Sequence, residues 1–242
     1  MKFEIVNKIA SPEIQGEILA LEEERVLREL EEITSQTNHL LGEGKTAEVW
    51  PLKGSEMLCM KVVDSDRLEN MYENGSLPPF NSPEIEFDFL ERVKEVTQAV
   101  HIPVPHLVLN IHTDEDRHVR IIVMEKLKAI SLKDVHEGAP LPKNFNMTTF
   151  FARLRASLEQ LHEAGIHHRD IAESNIMVME ETGDPCLIDF GDSASVMEGE
   201  SPYTIRDDFG RVFRTYPNDK RSLGEVEKRL TAKLGTSLTK SK

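Results

Sequence analysis

Two short motifs in the second half of the chain constrain its fold more than any other feature. The first is His168-Arg169-Asp170, which is followed in the same stretch by Asn175. The second is Asp189-Phe190-Gly191. Asp170 and Asn175 could each cap a loop, and Asp189 could stand in an ordinary turn. The presence of both motifs in one chain disfavours these alternatives.

The order and separation of these motifs resemble H-R-D-x-x-x-x-N and D-F-G of the protein kinase-like superfamily. Phosphoryl transfer needs a carboxylate that orients the attacking hydroxyl and oxygen ligands that hold magnesium against the triphosphate. The resemblance implies the first role for Asp170 and the second for Asn175 and Asp189. It also implies a structural role for His168, packed beneath the D-F-G motif.

The first half of the chain contains matching motifs. Residues 41–49 read h-G-x-G-x-x-A-x-V, in which Leu41, Gly42, Gly44 and Val49 stand at the defined positions. Glycines allow a strand-turn-strand to approach phosphates closely. An apolar strand at residues 58–63 then contains Lys61, which is costly there unless it is paired. The resemblance places Lys61 on the phosphates of ATP and beside a helix-borne glutamate.

That glutamate has three candidates, Glu84, Glu86 and Glu91, on a helix that the pair Ser82-Pro83 starts. Ile85, Phe89 and Val93 repeat at helical spacing and predict its apolar face. We favour Glu86 because the residues that follow it resemble those of protein kinases. The alternative for each glutamate is a solvated surface position.

The adenine site is expected from the remaining landmarks of the family. A β-branched run over residues 120–124 predicts a strand, with Met124 as gatekeeper. Glu125 and Leu127 would then lie in the hinge whose backbone bonds adenine. The resemblance further assigns Val49, Cys59, Met177 and Ile188 to the adenine surroundings. ATP and Mg²⁺ are the implied cofactors.

We therefore predict an α+β, two-lobed protein kinase-like fold with an antiparallel-sheet N-lobe and a reduced, mostly helical C-lobe. A C-lobe helix is predicted to begin at Asn146 or Thr148 and to end with Gly165 as its C-cap. The predicted segments are an N-terminal helical extension at 1–37, the N-lobe and hinge at 38–127, and the truncated C-lobe at 128–242.

The C-lobe is short, because little sequence follows the D-F-G motif and the A-P-E motif is missing. This resembles compact or atypical branches such as Rio-like kinases, phage and bacterial kinases, and effector kinases. The family places an aspartate where it bonds the catalytic-loop backbone, and we assign Asp208, with Asp207 as the alternative. Leu223, Val226, Leu230 and Leu234 predict one last helix.

Residues 1–37 lie outside the resemblance, which covers about residues 38–215. Ser11-Pro12 predicts a helix start, and Leu19, Val26, Leu30 and Ile33 form one helical stripe. This helix would pack on the small lobe or, alternatively, dock a partner.

Composition limits the function classes. The net charge of −14 argues against nucleic acid as a partner. The sequence contains neither an apolar run that could span a membrane nor a signal-peptide pattern, and we expect no membrane association. The two cysteines are expected to be buried and reduced, which favours a cytoplasmic location. Delivery into a host cell stays open.

The acceptor and its regulation are less constrained. Arg169, in kinases with H-R-D, often meets a phosphate on the activation segment, and several hydroxyls follow the D-F-G motif: Ser193, Ser195, Ser201, Tyr203 and Thr204. We hypothesise autophosphorylation there; the alternative is that Arg169 only braces the loop. Ala172 stands where serine/threonine kinases usually carry lysine. Ile171-Ala172 is locally more similar to the tyrosine kinase loop. The intact H-R-D favours a protein substrate, and we predict a serine or threonine acceptor before tyrosine. A small-molecule kinase and an ATP-binding scaffold are the alternatives.

Overall fold

The computed structural model describes residues 3–10, 23–28, 40–44, 47–64, 82–113, 118–196, 201–206 and 212–239. The chain divides into two compact units. The first unit comprises residues 1–88 and 104–127, and the second comprises residues 89–103 and 128–242. None of the helices among the described residues is long and apolar enough to cross a membrane.

The first unit is built on a six-stranded antiparallel sheet with the strand order β1-β5-β6-β4-β3-β2. The strands are β1 (Phe3–Ala10), β2 (Gly42–Glu43), β3 (Glu48–Pro51), β4 (Leu58–Asp64), β5 (Pro105–Thr113) and β6 (His118–Glu125). β-branched and other apolar residues dominate β4, β5 and β6, as expected for strands at the centre of a sheet. This sheet agrees with the predicted N-lobe.

Strand β1 corrects the expectation of a helical extension at residues 1–37. Residues 3–10 pair antiparallel with β5, from Phe3 opposite Thr113 to Ala10 opposite Leu107. The alternating sequence Phe3-Glu4-Ile5 is typical of a strand, and the open edge of β5 offers it backbone partners. Within the predicted helix, residues 23–28 are helical and Val26 is buried against the sheet, whereas the rest lies outside the described residues.

The two faces of the sheet have different coverings. Trp50, Met60 and Val123 belong to one apolar cluster on one face, together with Val26. Side chains alternate along a strand, so the neighbours of these residues point to the opposite face. A smaller cluster contains Ile122 and, with it, Phe87, Val108 and Met124.

Helix α1 (Pro83–Val96) begins where the pair Ser82-Pro83 predicted. Its first residues, through Asp88, belong to the first unit, and the rest belong to the second. Phe89 and Val93 are buried as predicted. Ile85 is not, since 46% of it is exposed, whereas Glu86 is buried. The buried face of α1 therefore contains Glu86, Phe89, Leu90 and Val93, and it does not contain Ile85.

The second unit combines helices with short strands around one apolar core. The helices are α2 (Leu132–Glu137), α3 (Met147–Glu163) and α4 (Asp219–Thr239). The strands are β7 (Ala129–Ser131), β8 (Ile166–His167), β9 (Ile176–Met179), β10 (Pro185–Leu187), β11 (Ala194–Ser195), β12 (Thr204–Arg206) and β13 (Val212–Thr215). They form the antiparallel sheets β10-β9-β7, β11-β8 and β12-β13. This arrangement agrees with a reduced C-lobe.

Helix α3 carries the core of the second unit. Asn146 is its N-cap, and the side chain of Asn146 accepts a hydrogen bond from the backbone of Thr149. The predicted apolar positions are all buried: Phe150, Leu154, Leu158 and Leu161. The C-cap is Ala164 rather than Gly165. Gly165 follows with φ +73°, a conformation that glycine adopts readily.

Helix α4 is the predicted last helix. Leu223, Val226 and Leu230 are buried in the same core as α3, and Leu234 is packed against it. Asn218 caps the helix, because its side-chain oxygen accepts a hydrogen bond from the backbone of Arg221. Asp219 is therefore the first helical residue, and its side chain is directed to the preceding part of the chain.

Candidate active site

Lys61 of β4 and Glu86 of α1 form a buried ion pair in the first unit. The ammonium nitrogen of Lys61 lies 2.8 Å from both Glu86 carboxylate oxygens. Lys61 is 8% exposed and Glu86 is 4% exposed. Removing one partner of such a pair leaves an uncompensated buried charge, which typically costs about 3–5 kcal/mol. The pairing predicted for Lys61 is present, and Glu86 is its partner.

The register of the sheet aligns the residues assigned to the nucleotide in the first unit. Gly42 lies opposite Val49, and Val49 lies opposite Lys61. Cys59 lies opposite Met124 on the neighbouring strand. Since Cys59 and Lys61 are two residues apart, both point to the same face. Strand pairing thus places these predicted residues on the sheet face opposite to the Trp50 cluster.

The glycine-rich segment is open in this structure. Leu41 is 49% exposed, and the backbone of Leu41 donates a hydrogen bond to the carbonyl of Val49 over 2.8 Å. A side chain at Gly42 would meet nothing within 4 Å, and one at Gly44 would lie 3.5 Å from the carbonyl oxygen of Ala47. Contacts among the described residues therefore do not require glycine at either position.

The predicted hinge residues lie at the end of β6 and directly after it. The backbone N–H of Glu125 donates to the carbonyl of Val104 over 2.8 Å, and the Cys59 thiol lies 3.5 Å from the carbonyl oxygen of Glu125. Leu127 is half-buried. Burial raises the pKa of the Cys59 thiol to about 12, although the charge of Lys126 opposes the shift. Cys59 is therefore a protonated, apolar component of this face.

In the second unit, Asp170 and Asn175 contact each other directly. The side-chain amide of Asn175 donates to the backbone carbonyl of Asp170 over 3.0 Å and to its carboxylate over 2.7 Å. The amide oxygen of Asn175 accepts a hydrogen bond from Ser174 over 3.2 Å. The amide nitrogen of Asn175 therefore fixes the orientation of the Asp170 carboxylate, and the amide oxygen of Asn175 points away from that carboxylate.

Asp189 is brought to the same place by the β9-β10 hairpin. Leu187 of β10 pairs with Ile176 of β9, and the backbone N–H of Ile188 donates to the carbonyl of Asn175 over 3.0 Å. Asp189 thus follows immediately after a residue bonded to Asn175. Met177 and Ile188, the predicted adenine contacts in this unit, are both half-buried at this hairpin.

Backbone strain is concentrated at this site. Arg169 has φ +68° and Asp189 has φ +63°, and among the described residues these are the non-glycine positions with positive φ. Such conformations are sparsely populated and cost about 1–3 kcal/mol each, so they persist only where surrounding contacts impose them. Arg169 belongs to the H-R-D motif and Asp189 belongs to the D-F-G motif.

His168 connects these motifs. It is fully buried, its Nε2 atom lies 3.0 Å from the carbonyl oxygen of Ile188, and its ring centroid lies 4.7 Å from that of Phe190. The imidazole therefore holds the D-F-G segment against the catalytic loop. This contact is the structural role that the family resemblance implied for His168.

Asp219 anchors the catalytic loop, which corrects the assignment to Asp208 or Asp207. Both of those residues lie outside the described residues. The Asp219 carboxylate accepts hydrogen bonds from the backbone N–H groups of His168, over 2.9 Å, and Arg169, over 2.8 Å. The Nε2 atom of His162 lies 3.0 Å from the same carboxylate.

Electrostatics favour an ionised Asp219. Burial by itself would raise the pKa of the Asp219 carboxyl, but the hydrogen bond to His162 and the backbone hydrogen bond from Arg169 outweigh it. The pKa is therefore lower than that of an ordinary aspartate. A buried, charged acceptor with this set of donors is a rigid anchor for the loop that carries Asp170.

Asp192 is a further acidic residue of this site that the sequence analysis did not identify. The Tyr216 hydroxyl donates to its carboxylate over 3.2 Å, and Arg214 lies 3.7 Å from it. Burial raises the pKa of Asp192, Arg214 opposes the shift, and the negative charges of Asp170 and Asp189 add to it. Asp192 therefore lies within electrostatic reach of both candidate catalytic carboxylates, directly after the D-F-G motif.

A group of possible metal ligands lies beside the anchor. His162, His167 and Asp219 each present a ligand atom within 4.8 Å of the others. Hydrogen bonds already account for this cluster, since His162 bonds Asp219 and His167 bonds the Tyr203 hydroxyl.

The comparisons with known proteins agree with this geometry. A family model described as protein kinase domain matches residues 35–210. The chain is 26% identical over 194 residues to the probable serine/threonine-protein kinase mkcF of Dictyostelium discoideum. This alignment covers 77% of this chain and 26% of that protein. It is 31% identical over 146 residues to a probable serine/threonine-protein kinase of Clostridium perfringens, in an alignment that covers 55% of this chain and 21% of that protein.

A third relative is closer in length. The chain is 28% identical over 158 residues to the KEOPS complex subunit Bud32 of Pyrococcus abyssi, an alignment that covers 63% of this chain and 66% of that protein. By contrast, the chain spans about a quarter of the length of the first two relatives. Since the family model matches most of the chain, the predicted kinase-like resemblance is confirmed. The chain belongs to the protein kinase family, whose members are phosphotransferases.

Proposed function

We propose that this protein is an ATP- and Mg²⁺-dependent protein kinase that transfers the γ-phosphate to a serine or threonine hydroxyl. The observation that carries the proposal is the Asn175 amide, which holds the Asp170 carboxylate while the Asn175 backbone bonds the segment that leads into Asp189. Family membership and the names of the serine/threonine relatives support it.

The donor set fits a magnesium ion. Asp189 offers a carboxylate, and the amide nitrogen of Asn175 is bonded to Asp170. The amide oxygen of Asn175 accepts one hydrogen bond from Ser174 and has a second lone pair for a cation. Mg²⁺ prefers oxygen ligands of this kind and keeps several waters and phosphate oxygens. When bound, the ion would neutralise charge that develops on the transferred phosphoryl group. Asn175 and Asp189 are its proposed protein ligands.

The acceptor hydroxyl would be oriented by Asp170. One oxygen of this carboxylate is held by the Asn175 amide, which leaves the other oxygen to accept the proton of the attacking hydroxyl. Asp219 restrains the backbone of the two residues that precede Asp170. The protein thus positions the nucleophile rather than forming a covalent intermediate.

The phosphates of ATP would be bound by Lys61, with Glu86 fixing the lysine side chain. Gly42 and Gly44 would allow the glycine-rich segment to cover the phosphates closely. For adenine we propose the predicted set of Leu41, Val49, Cys59, Met124, Glu125, Leu127, Met177 and Ile188. In the first unit, the alignment of Val49, Cys59 and Met124 on one sheet face supports this assignment.

Autophosphorylation forms part of the proposal. The hydroxyls that follow the D-F-G motif are not equally accessible, because Ser193 is buried and its hydroxyl lies 3.4 Å from the carbonyl oxygen of His168. Ser201 is exposed, as is Ser195, which accepts a hydrogen bond from Arg92 over 2.9 Å. Ser201 is therefore the proposed site, and intact-mass measurement after incubation with ATP tests it.

Transfer of label from γ-labelled ATP tests the function. The protein is incubated with magnesium, alone, with a basic generic protein and with a cell extract, and the Asp170→Ala variant is the negative control. The exposed Asp88 of α1 provides a matched control, since Asp88→Ala makes the same chemical change away from the site. We expect label on protein that disappears with Asp170→Ala, persists with Asp88→Ala and is abolished by a chelator of divalent cations.

Phosphoamino-acid analysis of the labelled protein then identifies the acceptor. Phosphoserine or phosphothreonine is the expected product, and phosphotyrosine would overturn the serine/threonine assignment. Label that appears on small molecules of the extract and not on protein would contradict the protein kinase proposal. We also propose a cytoplasmic location and a partner that docks on the N-terminal segment, neither of which this experiment tests.

A further inference from the structure

The segment that follows the D-F-G motif is attached to the catalytic loop through Tyr203. Its hydroxyl lies 3.1 Å from the Nδ1 atom of His167, and the two rings meet edge to face with centroids 5.3 Å apart. The same hydroxyl accepts a hydrogen bond from the backbone N–H of Asp219 over 3.4 Å. One side chain of this segment therefore contacts both the residue before the H-R-D motif and the anchor of the catalytic loop.

Arg169 supplies a second attachment. Its Nε atom donates to the backbone carbonyl of Pro202, the residue before Tyr203. Its guanidinium group lies 4.9 Å from the ring centroid of Tyr216, and the guanidinium group of Arg214 lies 4.1 Å from the same ring. The backbone N–H of Tyr216 donates to the carbonyl of Tyr203 over 2.7 Å. The arginine that the sequence analysis assigned to a phosphate is thus engaged by protein groups.

The contacts of Tyr203 continue into the helical core of the second unit. The rings of His162 and His167 stack with centroids 4.3 Å apart, and His162 bonds the Asp219 carboxylate. Tyr203, His167, His162 and Asp219 therefore form a closed set of contacts that joins the segment to α3 and α4. Since Asp219 also bonds the backbone of His168 and Arg169, displacement of Tyr203 would act on the loop that carries Asp170.

We propose that Tyr203, together with Arg169, holds this segment in place without a phosphate, so that the kinase is active in its unphosphorylated form. Tyr203 is then a positioning residue for the transfer reaction. This inference rests on the proposed function and specifies its regulation. It leaves the proposed autophosphorylation of Ser201 as a modification on which the basal activity does not depend.

The decisive variant is Tyr203→Phe, which keeps the ring against His167 and removes the hydroxyl. Hydrogen bonds of this type contribute modestly, so we expect kcat to fall by about tenfold and the KM for ATP to stay within about twofold of the wild-type value. The matched control is Ser201→Ala, which removes an exposed hydroxyl from the same segment and should leave kcat unchanged. Phosphatase-treated wild-type protein, shown by intact mass to carry no phosphate, should keep its full kcat.

An activity-independent measurement separates this inference from the proposed function. Amide hydrogen exchange is measured on phosphate-free wild-type protein and on Tyr203→Phe. We expect faster exchange in residues 201–206 of the variant and unchanged exchange in α3. If the wild-type protein transferred no phosphate to protein, the proposed function would fail, and the exchange measurement would still test the attachment.

Any of three results would overturn the inference. Equal exchange in residues 201–206 of the two proteins would show that the Tyr203 hydroxyl does not hold the segment. A loss of about tenfold in kcat on phosphatase treatment, restored by incubation with ATP, would show that a phosphate is required. A reduced kcat in Tyr203→Phe with a KM for ATP that rises in proportion would point to a general loss of structure and would also count against a positioning role.

Discussion

The anchor at Asp219 gives the sharpest expectation for a single substitution. Asp219→Asn preserves the shape of the side chain but replaces one carboxylate oxygen with a donor. The carboxylate accepts from the backbone of His168, the backbone of Arg169 and the ring of His162. An asparagine oxygen can serve some of these donors, whereas its amide nitrogen would face the remaining ones.

The magnitude follows from the burial of this group. Asp219 is fully buried, and hydrogen bonds to a charged acceptor contribute about 1.5–3 kcal/mol each. Loss of one or two of them, with a donor left facing a donor, should lower the free energy of unfolding by about 3 kcal/mol. Since a small displacement of a catalytic group can cost about 10²-fold in rate, we expect kcat to fall by about 10- to 100-fold.

The pH dependence of stability gives an independent signature. The pKa of Asp219 is lower in the folded protein than the ordinary value of 3.8. Ionised Asp219 therefore contributes stability above that value, and the contribution is lost as the pH falls through the folded-state pKa. Asp219→Asn should have a lower free energy of unfolding than the wild-type protein at neutral pH. It should also lose less stability than the wild-type protein when the pH is lowered.

The assay is urea unfolding followed by circular dichroism between about pH 3 and pH 7, combined with initial rates of phosphate transfer. Asp88→Asn, the same chemical change at an exposed position of α1, is the matched control and should alter neither quantity. The anchoring role would be refuted if two results were found together at neutral pH. The free energy of unfolding of Asp219→Asn would lie within about 0.5 kcal/mol of the wild-type value, and its kcat would be unchanged.

Two further substitutions test other parts of the structure. Glu86→Gln leaves Lys61 buried without its counter-charge, so kcat/KM should fall by about 10²-fold. The control is Glu84→Gln, which lies beside the partly exposed Arg120 and should have little effect on kcat/KM. Equal losses of kcat/KM in the two variants would refute the choice of Glu86. Gly165→Ala would strain a residue with φ +73° and place its Cβ 2.8 Å from the carbonyl oxygen of Val196, so thermal denaturation should show a loss of about 2 kcal/mol or more. Gly224→Ala in α4, where a Cβ meets nothing within 4 Å, should be neutral or stabilising, and a similar loss there would contradict this reasoning.

The residues of the candidate site that were predictable from the sequence lie within short motifs. Asp170 and Asn175 stand five residues apart in one motif, so the resemblance to the family identifies both and their contact is local. Lys61 was identified because a lysine in an apolar strand requires a buried partner. Three glutamates on one helix could serve, and only the packing of α1, which buries Glu86 and exposes Ile85, distinguishes them.

The misassigned anchor shows what local patterns lack. The choice of Asp208 followed the order of elements in the family, but the spacing between the D-F-G motif and the last helix differs in a shortened lobe. The available signal was Asn218, whose capping role places Asp219 at the start of the helical stripe that begins with Leu223. Strand β1 was missed for a related reason, since a single edge strand is specified by its partner β5 as much as by its own alternation.

The pairing of β1 with β5 bears on how this protein can be dissected. The family match begins at residue 35, so a recombinant fragment cut at that boundary would discard residues 3–10. The backbone of β5 would then be an unpaired sheet edge over residues 107–113, beside the buried side chains of Leu107, Leu109 and Ile111. Long apolar edges of this kind template intermolecular association. The start of the family match and the start of the sheet are therefore different positions in this chain.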